Sequence, residues 1–211
     1  MVIKRLRSAL ARRLTTTRIH EIPIIFGDPD VDRHALSTSL ADAMAFMHRE
    51  DVRRYRLVQR YVEHVFVWPG HYNAANSVGG ILLSSPIAQE ASRAELVGTL
   101  VHEATHLRIQ ALGVRYVGEK RARIERLCLS EEVDCLVRCG LVSPKGGATI
   151  MESLATEWWS DAATRSDLER IVHTAGLPTW MSSLFLRLSL SACERVRREA
   201  DHTWRSTPPP F

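Results

Sequence analysis

Residues 92–113 constrain the chain more than any other segment. Ser92, with Glu95 three residues later, has the form of a capping box, and Gly113 suits the left-handed residue that closes a helix. The spacing predicts a helix over 93–112. Leu96, Val97, Leu100, Val101, Leu107 and Leu112 make it apolar around most of its girth, so it belongs in a core rather than on a surface. Yet its second half reads His102-Glu103-Ala104-Thr105-His106. Two imidazoles and a carboxylate on a buried helix need partners, because an unsatisfied buried polar group is costly.

A metal ion is one such partner. Residues four apart lie one above the other, about 6 Å apart along the axis. Imidazoles at that separation can converge on one ion, and Zn²⁺ takes neutral imidazole nitrogen at about 2.0–2.1 Å. A carboxylate directly after the first histidine flanks the ion, where it can take a proton from an activated water. His102 and His106 are therefore candidate ligands and Glu103 a candidate general base. The plainer reading is a helix whose histidines are satisfied without metal.

Hydrolytic zinc usually has three protein ligands and one open position. Eighteen residues separate His106 from Glu125. A helix is expected over 119–139, closed by Gly140. At 100° per residue Glu125, Cys128, Glu132, Cys135 and Cys139 share one face, while Glu131 and Asp134 fall opposite and read as solvated. A carboxylate in so apolar a stripe needs a cation. Glu132 is the reserve ligand or the partner that orients one.

The arrangement HExxH-x18-E resembles the gluzincin class of zinc metallopeptidases, over about 92–139. The resemblance implies a zincin-like α+β fold, Zn²⁺ held by His102, His106 and Glu125, Glu103 as general base, and a peptide or protein substrate. It is incomplete. Thermolysin-like enzymes orient the first histidine with an Asp four residues after the glutamate ligand, where this chain has Leu129. The Gly-x-Met-Glu-Asn motif of aminopeptidases is absent, which disfavours an exopeptidase. Tyr116 is the first candidate to steady a transition-state oxyanion, with His71 and Tyr72 next. Trp158 and Trp159 line a pocket or simply pack.

Before this core, 21–27 and 64–70 read as strands, and 31–48 and 51–61 as helices. The segment 79–85, GGILLSS, is a third strand, expected to pair antiparallel with 64–70 around the loop 71–78. It is also the segment placed to bind an extended peptide by strand addition, its glycines letting a backbone approach. SPKGG, 143–147, reads as a loop and a soft boundary. The expected organisation is a basic segment 1–20, a zincin-like domain 21–142, with its small sheet packed on the HExxH helix, and a helical subdomain 143–211 with a disordered tail.

Composition narrows the partners. The 211 residues carry a net charge of +4, and no apolar run approaches the roughly 20 residues that span a bilayer. With no secretory signal either, a cytoplasmic protein is expected. Lys4, Arg5, Arg7, Arg12, Arg13 and Arg18 make 1–20 basic, with apolar residues at roughly helical spacing. That suits peripheral contact with an anionic membrane, or a solvated terminus. Without a basic, aromatic-rich surface elsewhere, no nucleic acid is expected. Cys128, Cys135 and Cys139 lack the spacing of a zinc knuckle and read as small buried residues. The competing function is a non-catalytic metal-binding or interaction protein of the same fold, which a fourth protein ligand would favour.

Overall fold

The computed structural model describes residues 16–70, 73–75, 79–116 and 120–152. All of them belong to the first of two compact units, Met1–Thr156 and Glu157–Phe211. The expectations for residues 1–15, for His71 and Tyr72, for Trp158-Trp159 and for the C-terminal helices and tail lie outside the described residues.

Among the described residues, five strands and six helices make an α+β fold, in the order β1 (Thr16–Ile19), β2 (Ile22–Phe26), α1 (Arg33–Glu50), α2 (Val52–Tyr61), β3 (His64–Trp68), β4 (Ala74–Ala75), β5 (Gly80–Ser84), α3 (Ser85–Glu90), α4 (Arg93–Ala111), α5 (Lys120–Arg138) and α6 (Pro144–Glu152). The sheet order is β1-β2-β3-β5-β4. One face of it carries Ile22, Ile24, Phe26, Val65, Val67, Ile81 and Leu83, all buried against the apolar stripes of α1, α2 and α4. Among the described residues no helix is long and apolar enough to cross a membrane.

The strand pairing differs from the expected one. Strands β3 and β5 pair in parallel, His64 with Gly80 through Trp68 with Ser84, rather than as an antiparallel hairpin. The chain passes from β3 to the outer edge as β4, then returns as β5 between the two, antiparallel to β4. The reason lies in burial. Gly80, Ile81, Leu83 and Ser84 are all buried, so β5 suits the interior of a sheet, with a neighbour on each side. Its glycine serves the sheet itself, since a Cβ on Gly80 would sit 2.3 Å from His64 Nε2. β5 is therefore no edge strand over Ala74–Ala75; β4 is.

Residues 16–19, taken as part of a basic segment, form β1, which pairs antiparallel with β2. The turn between them is His20-Glu21, both with positive φ (46° and 68°). Positive φ at both positions is the requirement of a two-residue type I′ hairpin, normally met by Asn-Gly. SPKGG is the start of a helix rather than a loop. Ser143 caps it, its Oγ accepting from the Gly146 N–H at 3.1 Å, and Pro144 takes the first helical position. Gly147 faces Val133 and Val137 of α5, with no room for a side chain.

Arg54 ties the helices together. It is 1 % exposed, and its guanidinium lies 2.8 Å from Asp51, 3.0 Å from Glu131 and 3.4 Å from Asp134. Asp51 also caps α2 through the Arg54 N–H and ends α1. Glu131 is thus not merely solvated. With Arg53 as well, at 2.7 Å, it bonds the outer face of α5 to α2. Removing one member of a buried ion pair strands the other, typically at 3–5 kcal/mol. Arg54→Ala is expected to lower unfolding stability by about that amount in denaturant titration. Arg53→Ala, at an exposed site, should cost no more than about 1 kcal/mol.

Candidate metal centre

Helix α4 forms as its sequence prescribes. Ser92 accepts from the Glu95 N–H while Glu95 accepts from the Ser92 N–H at 2.7 Å, completing the capping box. At the other end Gly113, at φ 78°, donates to Gln110 O, and Val114 donates to Ile109 O, the paired bonds of a Schellman motif. The chain then turns back so that α5 packs along α4.

That packing brings the expected residues together. His102 Nε2 lies 3.3 Å from Glu125 Oε2, and His106 Nε2 lies 3.3 Å from Glu125 Oε1. Both imidazoles retain 13 % side-chain exposure, whereas Glu125 is 2 % exposed as a residue. Tyr116 donates its hydroxyl hydrogen to Glu125 Oε1 and sets its ring edge-on to His106. Its phenol proton is committed to the carboxylate. Burial raises the Tyr116 pKa, and the bond to Glu125 raises it further, so the group stays protonated.

The partner that orients His102 is Glu132, whose Oε2 accepts from Nδ1 at 3.0 Å. It stands seven residues after Glu125, one turn beyond buried Leu129. Room for it is made by Gly98, one turn before His102 on α4. A Cβ there would fall 2.8 Å from Glu132 Oε1. Nothing in the sequence marks Gly98, because an isolated glycine inside a helix is ordinarily just a weak point.

With Nδ1–H given to Glu132, His102 turns the lone pair of Nε2 toward Glu125 Oε2. That oxygen is buried and has no hydrogen-bond donor. Two states resolve the confrontation: a second proton on His102, or a cation shared by the three groups. The donor set is of a kind that zinc takes: His102 Nε2 and His106 Nε2 each lie 3.3 Å from one oxygen of the same carboxylate. Cys128, buried on α5 between Glu125 and Glu132, also enters the centre. One ligand atom each of His102, His106 and Cys128 lie within 4.8 Å of one another. Read from the sequence as a small buried residue, Cys128 had an available signal in its place on the Glu125 face.

Glu103 follows His102 and accepts a main-chain hydrogen bond from Ala75 of β4, close enough to His102, His106 and Glu125 to feel the charge of each. Its burial raises its pKa, His102 and His106 pull it down, and Glu125 pushes it up, for a net rise. A carboxylate more basic than usual suits a group that must take up a proton. The chain matches no protein-family model, no curated protein and no solved structure.

The metal-free chain has a defined pH response. Burial disfavours a charge on His102, but hydrogen bonds to Glu125 and Glu132 outweigh it and lift the imidazole from 6.5 to about 10. Burial likewise works against the Glu125 charge, and both imidazoles overcome it, holding the carboxyl well below 4.5. A raised histidine stabilises the fold fully below about pH 6.5 and ceases to as pH climbs through about 10. A depressed carboxylate stabilises it above 4.5 and ceases to as pH falls. Denaturant unfolding in chelator should therefore show stability declining between about pH 6.5 and 10. Saturating zinc, in place of that proton, should flatten the decline. Gly98→Ala should weaken zinc binding by about 10- to 100-fold, the usual effect of disturbing a ligand's orienting partner, read by competition with a chromogenic chelator.

Proposed function

We propose that the chain is a zinc-dependent hydrolase of peptide bonds, a gluzincin-like enzyme on a zincin-like fold. The observation that carries the proposal is the convergence of His102 Nε2, His106 Nε2 and the Glu125 carboxylate at 3.3 Å, with buried Glu103 beside them and bonded to none of them. Zinc held by His102, His106 and Glu125 would supply Lewis acidity and bring the pKa of a bound water to about 7. Glu103 takes a proton from the attacking water and returns it to the leaving amine nitrogen. Glu132 fixes the tautomer and orientation of His102. Tyr116 holds Glu125, a role its hydrogen bond supports better than that of oxyanion donor.

The substrate strand is β4 rather than β5. Ala74–Ala75 is the sheet edge nearest Glu103, and Ala75 already bonds it. An extended peptide added to that edge would run past the centre by strand addition. Three free cysteines among the described residues suit a reducing compartment such as the cytoplasm.

Glu103→Gln tests the chemistry. Zinc content and fold should persist while hydrolysis of an unfolded-protein substrate falls about 10²- to 10⁴-fold. Full activity in this variant would refute the mechanism. A ranking of carboxylates tests the ligand set. Glu125→Gln should empty the site, Glu132→Gln should weaken it by about 10- to 100-fold, and Glu131→Gln should leave zinc affinity unchanged. Isothermal titration of the three variants checks the order, and a filled site in Glu125→Gln would overturn it.

A further inference from the structure

The zinc reading above leaves Cys128 without a task. It is fully buried on α5, one turn after Glu125 and one turn before Glu132. Ile109, Ile124 and Tyr116 surround it. Among the described residues no hydrogen bond engages its Sγ, yet the atom shares a sphere of 4.8 Å with ligand nitrogens of His102 and His106. An inert thiol needs only an apolar place, of which α5 has others. This one faces two imidazoles across the helix interface. Sulfur and carboxylate approach the same pair of nitrogens, from the same face of the same helix.

We propose that Cys128 is a fourth, displaceable ligand that closes the metal centre in the resting protein. The proposal rests on the zinc reading. Thiolate binds zinc at about 2.3 Å, so closure with the imidazoles asks the sulfur to shorten separations that are already within 4.8 Å. The S–H bond breaks as the Zn–S bond forms, and the thiol proton leaves to solvent. His102, His106, Glu125 and Cys128 then fill four positions, and Glu103 finds no water to deprotonate. A permanently structural site would have no use for a buried Glu103. Retaining both groups describes a latent centre, whose hydrolytic form appears when the sulfur yields its position.

Cobalt reports on the sulfur without reference to activity. The full chain, freed of metal and titrated with Co²⁺, should bind one ion and show a thiolate-to-cobalt charge-transfer band in the near ultraviolet. Cys128→Ser should keep one Co²⁺ per chain by elemental analysis and lose the band. X-ray absorption of the zinc-loaded wild type should show one sulfur neighbour, a readout that needs no variant and stands even if Cys128→Ser fails to fold. Zinc-loaded Cys128→Ser should hydrolyse an unfolded-protein substrate at least tenfold faster than wild type. One Co²⁺ per chain with no charge-transfer band and no sulfur neighbour would overturn the proposal and leave the three-ligand reading standing. No bound metal in the wild type would overturn both. A sulfur ligand with equal rates in the two proteins would overturn displacement.

Discussion

A carboxylate buried between two imidazoles organises this molecule. Glu125 is almost wholly removed from water, and burial alone would neutralise it. It stays charged because His102 and His106 face its two oxygens and Tyr116 donates to one of them. That requirement fixes the register of α5 against α4 more tightly than apolar packing can, since a slide of one turn would take Glu125 away from at least one of the two imidazoles. The same logic reaches outward to Glu132 on His102 and to the bare face of Gly98 that admits it.

The opposite side of α5 is held by charge of the reverse sense. Here the buried group is a cation, Arg54, and the helix brings the acids, Glu131 and Asp134. α5 is thus anchored on two faces by unlike arrangements, an anion between imidazoles on one and anions onto a cation on the other. Packing alone tolerates rotation of a helix by a few degrees. Two polar anchors on opposing faces do not, and a centre that depends on sub-ångström agreement between ligands benefits from that restraint.

What the sequence disclosed was local in its physics. The ends of α4 follow from Ser92, Glu95 and Gly113, each acting within a few residues, and the convergence of His102 with His106 follows from helical pitch. Glu125 was reached by spacing and by the apolar stripe around it, because the turn between two antiparallel helices is short. Non-local pairing carries no local signal. The strand residues Val65–Val67 and Ile81–Leu83 are equally good in either direction, so their parallel register escaped detection. The β1–β2 turn hid because His20 and Glu21 adopt a backbone that sequence ordinarily signals with asparagine or glycine. SPKGG misled because Ser-Pro begins helices as readily as it makes turns, and Gly147 is there for Val133 and Val137.

Every group of the centre comes from a single helix–turn–helix, between Gly98 and Glu132, whereas the sheet must bring β3 beside β5 through a detour to the far edge. Loop closure grows dearer with chain length, and local contacts form soonest. This pair of helices is therefore the part of the chain able to condense first, with the sheet assembling on it afterwards. On the zinc proposal, metal supplied during refolding would act on an early species as well as on the finished protein, accelerating the approach to the native state in addition to deepening it. The proposed ion would then serve as a nucleation agent before it serves as a reagent.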